Sequence, residues 1–236
     1  MKRLLVLAAS SVLAAGCAMR PPVEEGSFRE PDLVELTGLD PAIRLDIRYA
    51  TSKNFLGRPV YSEARAFLQR PAAEALLRVQ AAVKRDGYNL VVFDGYRPWS
   101  VTKDFWEATD KHDFVADPRK GSKHNRGCAV DLSLADAATG KPVEMPSEYD
   151  EFSERAHPGY AGGAAEARRR RDYLRAAMER EGFTVYEHEW WHFDYKDWPQ
   201  YRVLDIPFSE IGKAEKAGKF GKAGPAGEAG PTGSGR

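Results

Sequence analysis

The chain is poor in cysteine and carries no excess of charge of either sign. Its 236 residues include two cysteines, Cys17 and Cys128, and contain 35 Lys and Arg against 35 Asp and Glu. This balance gives no indication of an anionic partner, so we expect no binding to nucleic acid. Because Cys17 is predicted to be lipidated, only Cys128 would remain as a free cysteine, and we expect no intramolecular disulfide.

The chain also lacks an apolar run long enough to cross a bilayer as a permanent helix. A basic start is followed by apolar residues 4–13, and this short pattern is typical of a secretory signal. Residues 13–17, Leu-Ala-Ala-Gly-Cys, resemble a bacterial lipoprotein cleavage box. We therefore predict a lipoprotein signal peptide at residues 1–16 and lipidation of Cys17, which would anchor the protein in a membrane.

The residue after the predicted lipidation site bears on localisation. It is Ala18 and not Asp, which by resemblance to enterobacterial sorting favours the outer membrane. We therefore expect a protein of the cell envelope, in the periplasm and anchored to the outer membrane by lipid. The alternative is cleavage of an ordinary signal near Ala15, which would leave a soluble periplasmic protein.

Composition divides the rest of the chain into three parts. Residues 17–29 contain Pro21-Pro22 and few apolar side chains, which predicts a tether. Residues 30–208 carry the periodic apolar pattern of a folded domain. In residues 209–236 aromatic side chains nearly vanish and Gly recurs with a period of three. That segment is too short and too poor in proline for a collagen helix, so we predict a disordered tail.

Hydrophobic periodicity predicts four strands and three helices in the domain. Pro71 suits the first turn of a helix and Gly87 its end, so one helix is predicted with both boundaries. Residues 54–61 are predicted to form a loop. The predicted strands cover residues 42–50, 90–93, 128–134 and 183–195, and the predicted helices cover residues 71–86, 100–109 and 164–181.

Two histidines and an aspartate are candidate ligands of a catalytic metal. Polar and apolar residues alternate over residues 128–134, which places Asp131 on the polar face of a half-buried strand. His124 lies an odd number of residues earlier, so Gly127 must supply a kink that turns it back toward Asp131. Together with His192 they form the ligand set of a catalytic zinc, which leaves a fourth position for water.

Two further residues near this set have both a chemical and a structural interpretation. A Cys128 thiolate could ligate zinc, but alternation turns it to the apolar face opposite Asp131, which favours a buried structural cysteine. Glu189 stands three residues before His192 and is a candidate general base. On a regular strand these two would face opposite sides, so we expect a bulge or a strand end between them. The alternative is an exposed Glu on an edge strand.

Several separated motifs occur in the order typical of one family. Ser-x-His-x-x-Gly-x-Ala-x-Asp at residues 122–131, followed by Glu-x-x-His at residues 189–192, resembles the zinc D-Ala-D-Ala peptidases. The resemblance is closest to the D-alanyl-D-alanine dipeptidases of the VanX type, whose Asn-Phe-Thr-Gly-x-Pro-x-Tyr segment is similar to residues 54–61. The resemblance covers residues 30–208 and implies a single α+β domain of the hedgehog/DD-peptidase-like fold.

The resemblance also implies an activity and its cofactor. The expected sheet is central and mostly antiparallel, with flanking helices and one Zn²⁺ per chain at the sheet edge. The implied reaction is hydrolysis of D-alanyl-D-alanine to two D-alanines by a metal-activated water, with Glu189 acting first as base and then as acid. The implied partners are therefore a small dipeptide substrate and, through the lipid anchor, a membrane.

Three more side chains receive roles from the resemblance. Arg97, in Asp-Gly-Tyr-Arg-Pro, would stabilise the oxyanion of the reaction, and the alternative is a surface arginine paired with Asp94. Asp150 would bind the substrate amine, which favours a dipeptidase over a carboxypeptidase. The alternative for Asp150 is a helix N-cap or a solvated loop residue. Ser122 would line the substrate pocket.

Two other functions stay open from the sequence. One is a D,D-carboxypeptidase or endopeptidase of the same superfamily that acts on peptidoglycan stem peptides. The other is a non-catalytic, zinc-stabilised module that binds the cell wall, against which the presence of Glu189 and Arg97 argues. Antibiotic resistance, dipeptide salvage and wall turnover are all compatible with the dipeptidase activity.

Overall fold

The computed structural model describes residues 19–212, so the predicted signal peptide, Cys17 and most of the predicted tail lie outside the described residues. No helix in the described part has the length and apolar character needed to cross a bilayer. The strands are β1 (Leu33–Glu35), β2 (Arg44–Leu45), β3 (Phe67–Gln69), β4 (Tyr88–Asp94), β5 (Ala129–Asp136), β6 (Phe183–Tyr186) and β7 (Glu189–Tyr195), and the helices are α1 (Leu36–Leu39), α2 (Arg70–Arg85), α3 (Trp99–Ala108) and α4 (Ala165–Arg180).

The main sheet confirms the predicted α+β class. Its strands follow the order β2-β4-β5-β7-β6, and every neighbouring pair is antiparallel except β2 and β4. Helices α2 and α4 contact each other and pack on β4 and β6. The predicted helices at 71–86, 100–109 and 164–181 are confirmed as α2, α3 and α4 to within one residue at each end.

The strand that carries Asp131 is more deeply buried than its alternation predicts. Residues 129–135 are all buried, including Asp131 and Ser133. The prediction of a half-buried strand was wrong because β5 lies in the middle of the sheet, and the segment around Tyr149 covers its polar face, where the Tyr149 hydroxyl reaches Asp131. The polar face is therefore the floor of a cavity and not a solvent surface.

The strand predicted at residues 42–50 was wrong over most of its length. Only β2 pairs, in parallel with Val91 and Val92 of β4. The chain then leaves the sheet and forms a 3-10 turn at Arg48–Ala50, with Ile47 and Tyr49 buried. The alternating pattern here reflects side chains that reach the core from an irregular segment, and it carries Tyr49 toward the polar cavity.

The single strand predicted at residues 183–195 is a hairpin. Strands β6 and β7 are joined by a turn that contains neither Gly nor Pro, so no turn signal was present. The pairing jumps from Val185 with Phe193 to Tyr186 with Glu189, so residues 190–192 form a bulge in β7. The expected irregularity between Glu189 and His192 is thereby confirmed.

Residues upstream of the predicted domain boundary at residue 30 already contact the domain. Strands β1 and β3 form a separate two-stranded antiparallel sheet that was not predicted. Upstream of it, the Glu24 carboxylate accepts hydrogen bonds from the Arg126 guanidinium and, at 2.7 Å, from the backbone N–H of Val203. The predicted tether is thus held on the domain at Glu24.

Candidate active site

The three predicted metal ligands meet in one buried place. The candidate ligand atoms of His124, Asp131 and His192 lie within 4.8 Å of one another. Asp131 of β5 and His192 of β7 are paired across the two strands. The expected position at the sheet edge was wrong, since β5 is the third of the five strands that the structure describes in this sheet.

A tight turn brings His124 to the other two ligands. His124 begins a 3-10 turn, His124–Arg126, and Gly127 ends it with a left-handed φ of 67°. The left-handed φ favours glycine here, and a Cβ at this position would also lie 2.5 Å from Leu33 Cδ2, so the leucine side chain would have to move. The predicted kink at Gly127 is confirmed.

Hydrogen bonds decide which ring nitrogens are free to bind a metal. His124 Nδ1 lies 2.7 Å from the carbonyl oxygen of Gly95, which can only accept, so Nδ1 carries the hydrogen. His192 Nε2 lies 2.9 Å from the Asp194 carboxylate and carries its hydrogen for the same reason. His124 Nε2 and His192 Nδ1 therefore face each other, 3.1 Å apart, with their lone pairs available.

Asp131 provides the test of whether a cation fits among these atoms. Its Oδ1 is buried and, among the residues that the structure describes, has no hydrogen-bond partner. It lies 3.3 Å from His124 Nε2 and 3.0 Å from His192 Nδ1. Buried lone pairs that converge without a donor are costly, and a cation among them removes that cost. Two imidazoles and one carboxylate are a ligand set that suits zinc.

The electrostatics of the cluster agree with this conclusion. Burial opposes the charge of Asp131, but His124 and then His192 hold the pKa of its carboxyl well below the usual range. Burial likewise opposes charge on His192, and Asp194 and Asp131 raise its pKa. The surroundings of the ligand atoms therefore favour positive charge, which a divalent cation supplies.

Glu189 lies beside the ligands and is buried. It is 8% exposed, and its Oε2 is 3.6 Å from His192 Nδ1. Burial raises the pKa of Glu189 to about 8, so the carboxyl can hold or release a proton near neutral pH. The alternative of an exposed Glu on an edge strand was wrong, because the bulge in β7 turns Glu189 into the cavity and β6 lies outside β7.

Arg97 enters the same cavity from the end of β4. Its Nε and Nη2 donate hydrogen bonds of 2.9 and 2.8 Å to Asp94 Oδ2, and Nη2 lies 3.9 Å from Asp131 Oδ2. The guanidinium carbon is 4.5 Å from the ring centroid of Phe105. The pairing with Asp94 was foreseen, but the surface position was wrong, since Arg97 is 7% exposed and lines the cavity.

Asp150 lies in the cavity with a strained backbone. Its φ of 61° is in the left-handed region, which non-glycine residues rarely adopt and which is tolerated at functional sites. The Tyr49 hydroxyl donates a 3.0 Å hydrogen bond to Oδ1, while Oδ2 is buried without any partner in the described part of the chain. Burial raises the pKa of Asp150 to about 7. The N-cap alternative was wrong, because Ser153 caps the 3-10 turn that follows.

All seven predicted site residues of the domain line one cavity of about 440 Å³. Ser122 is buried at its wall and accepts a 3.2 Å hydrogen bond from the backbone N–H of His124. Aromatic side chains, including Phe55 and Phe152, form the outer part of the wall. The site residues in this lining are Arg97, Ser122, His124, Asp131, Asp150, Glu189 and His192.

Comparison with known proteins agrees with this geometry. Residues 29–213 match the family model described as D-Ala-D-Ala dipeptidase (peptidase M15). The chain belongs to the D-Ala-D-Ala dipeptidase family. It is 34% identical over 178 residues to the D-alanyl-D-alanine dipeptidase of Escherichia coli (strain K12), and the aligned region covers 75% of this chain and 92% of that protein. It is 37% identical over 189 residues to that of Enterococcus faecalis (strain ATCC 700802 / V583), which covers 71% and 89%.

As a member of the D-Ala-D-Ala dipeptidase family, the chain is a metallopeptidase, and the expectation of an enzyme is confirmed. The alternative of a non-catalytic wall-binding module is set aside. Cys128 is a free, buried cysteine, and burial raises the pKa of its thiol to about 12. Cys128 does not belong to the group of converging ligand atoms in the described residues, which agrees with the structural role that its alternation predicted.

Sequence reasoning missed several residues that build this dipeptidase-family site. The Tyr149 hydroxyl donates a 3.1 Å hydrogen bond to Asp131 Oδ2, and Asn125 Nδ2 donates one of 2.9 Å to the Arg97 carbonyl oxygen. Tyr49 and Asn125 gave no signal, because their partners are distant in the sequence. Asp194 could have been found from the sequence. It follows His192 by two positions on a strand, so the two side chains lie on the same face of that strand.

Proposed function

We propose that this protein hydrolyses D-alanyl-D-alanine to two D-alanines, with one zinc ion held by His124, Asp131 and His192. The choice of a free dipeptide is supported by Asp150 Oδ2, which lies in the cavity that holds these ligands and has no hydrogen-bond partner among residues 19–212. A free dipeptide has an ammonium group that would satisfy this oxygen, whereas an acylated peptide has none.

The zinc ion, when bound, lowers the pKa of a coordinated water to about 7 and polarises the peptide carbonyl. Glu189 Oε2 takes up the proton of the attacking water and returns it to the nitrogen of the leaving D-alanine. General acid and base catalysis of this kind contributes about 10²- to 10⁴-fold. Burial raises the pKa of Glu189, which helps the carboxyl to hold the proton it has taken up, and the charge of a bound cation would lower that pKa again and favour the carboxylate that acts as base.

Arg97 stabilises the negative charge that develops on the carbonyl oxygen. Its hydrogen bonds to Asp94 use Nε and Nη2 and fix the plane of the guanidinium, so little reorganisation is needed during the reaction. The Tyr61 hydroxyl donates a 2.8 Å hydrogen bond to the other oxygen of Asp94 and holds that carboxylate in turn. Removing one oxyanion donor costs about 3 to 4 kcal/mol in comparable sites.

The rival function is a carboxypeptidase or endopeptidase that acts on peptidoglycan stem peptides. The two activities are separated by comparing D-Ala-D-Ala with N-acetyl-D-Ala-D-Ala and with a stem pentapeptide. We expect kcat/KM for D-Ala-D-Ala to exceed that for the acetylated dipeptide by more than about 10²-fold, since a buried carboxylate left unpaired costs about 3 kcal/mol. Equal turnover of the acetylated and free dipeptides would favour the rival.

Asp150→Ala provides the matched control for this comparison. It removes the oxygen to which the free amine would bind, so we expect the preference for the free over the acetylated dipeptide to shrink to about tenfold or less. The variant leaves His124, Asp131 and His192 in place, so its zinc content should equal that of the wild type. An unchanged preference would show that Asp150 does not select the amine.

We further propose that the mature protein is lipidated at Cys17 and works in the periplasm, where D-alanyl peptides of the cell wall are handled. Glu24 lies seven positions after Cys17, a span of at most about 25 Å, so an anchored domain would stay close to the bilayer. Mass spectrometry of the membrane fraction tests this: we expect acylated Cys17 in the wild type and a soluble protein from Cys17→Ser.

A further inference from the structure

Asp194 lies outside the ligand set but contacts it directly. Its Oδ1 is 2.9 Å from His192 Nε2, and its Oδ2 accepts a 2.8 Å hydrogen bond from Lys123 Nζ. Both carboxylate oxygens are therefore engaged, one by the imidazole and one by the ammonium. Asp194 is only 9% exposed, and a charge so far removed from water needs such partners.

The pair formed by Lys123 and Asp194 joins the two segments that carry the histidines. Lys123 immediately precedes His124 on the ligand turn, and Asp194 follows His192 by two residues on β7. The ammonium also lies 5.4 Å from the ring centroid of Trp198, which limits where it can point. One ion pair thus spans 71 positions of sequence and fixes the turn against the strand at the metal site.

We infer that Asp194 is a positioning residue for the metal and that Lys123 holds it in place. By accepting the hydrogen of His192 Nε2, Asp194 keeps that hydrogen away from Nδ1, which faces Asp131 and His124. A carboxylate in this place orients the imidazole and increases its basicity toward a metal, and losing such a partner costs about 10- to 100-fold in metal affinity. The inference rests on the proposed zinc site.

Zinc affinity, measured by competition with a chromophoric chelator, tests the inference. We expect Asp194→Ala to weaken zinc binding by about 100-fold. Asp194→Asn keeps an acceptor for the imidazole but loses the charge, so we expect a loss of about tenfold. Lys123→Met keeps the apolar stem and releases Asp194, and we expect a loss of several-fold.

Asp197→Asn is the matched control. Asp197 forms a pair with Lys196 at 2.9 Å, three residues along the chain from Asp194, and belongs neither to the ligand set nor to its hydrogen bonds. Zinc affinity of this variant should stay within twofold of the wild type. The visible spectrum of Co²⁺-substituted protein is a second measurement: the bands should shift in Asp194→Asn and stay unchanged in Asp197→Asn, because they report the ligand geometry at the metal.

The outcomes separate this inference from the function on which it rests. If the wild type fails to bind one zinc per chain, the proposed site itself is wrong. If the wild type binds zinc and all three variants at positions 194 and 123 bind it within twofold of the wild type, only the positioning role is wrong. Asp194→Asn is nearly isosteric, so it carries the test even if Asp194→Ala does not fold.

Discussion

The hydroxyl of Tyr49 donates a hydrogen bond to one oxygen of Asp150, while the other oxygen is buried and has no partner within residues 19–212. The two residues are 101 positions apart, and the backbone of Asp150 is held at a left-handed φ of 61°. A folded chain that keeps a half-satisfied carboxylate and a strained residue at one point gives up stability there.

Metal-free Asp150→Asn should be more stable than the metal-free wild type at pH 8. The pKa of Asp150 is raised by burial to about 7, whereas an unfolded Asp has about 3.9. The folded state therefore binds the proton more tightly, so the free energy of unfolding falls as the pH rises from about 4 to about 7. A shift of about three units at 1.36 kcal/mol each sets an upper bound of about 4 kcal/mol on the gain.

Urea unfolding of the chelator-treated proteins measures this difference. The advantage of Asp150→Asn should be present at pH 8 and absent near pH 3, where Asp150 is mostly protonated in both the folded and the unfolded wild type. Equal stability of the two proteins at pH 8 would contradict the prediction.

Glu189→Gln should separate chemistry from metal binding. The amide keeps the size of the side chain but can neither accept the proton of the attacking water nor donate it as an acid. We expect kcat for D-Ala-D-Ala to fall by about 10²- to 10⁴-fold. Zinc content should stay at one per chain, because Glu189 is not among the ligand atoms that converge at the site. A kcat within tenfold of the wild type would remove Glu189 from the mechanism.

Arg97→Lys should be strongly impaired although it keeps the positive charge. Lysine lacks the planar fork that places two N–H groups on Asp94, so its ammonium would not be held over the Phe105 ring. We expect kcat/KM to fall by about 10²- to 10³-fold, mainly through kcat. Asp94→Asn leaves the Arg97 guanidinium in the cavity but weakens the contact that orients it, so it should cause a smaller fall. If Arg97→Lys retained near-normal kcat, charge alone would suffice.

Metal removal should abolish activity and lower stability, and zinc should restore both. The Asp131 carboxylate and the histidines around it favour positive charge at this buried place, so binding of a cation stabilises the folded state. At a free zinc concentration of 100 times Kd, binding adds about 2.7 kcal/mol to the free energy of unfolding. Thermal unfolding with and without zinc checks this, and His124→Ala should show no increase in Tm on addition of zinc.

Local sequence patterns predicted the parts of this site that depend on neighbouring residues. Alternation placed Asp131 on the polar face of β5, and Gly127 explained how His124 turns back to it. The periodic apolar residues predicted α2, α3 and α4 nearly to their ends. These features are decided within a few positions of the chain, where backbone conformation and side-chain direction follow from residue type.

Long-range packing produced the features that local patterns did not predict. The hairpin at β6 and β7 has no glycine or proline in its turn and forms because both strands complete the sheet. Arg97 is buried because it pairs with Asp94 and packs on Phe105. One carboxylate oxygen of Asp150 is held by the Tyr49 hydroxyl. No spacing rule connects residues 101 positions apart, so such contacts appear only in the folded chain.

The contact between Glu24 and Arg126 has a practical consequence for how the N-terminus is treated. The two side chains are 16% and 10% exposed, and Arg126 ends the turn that begins with His124. A chain cut at residue 30 would leave that guanidinium without its carboxylate beside the metal-binding turn. The stretch that contains Glu24 therefore behaves as part of the catalytic domain and should be retained in any truncated or fused form.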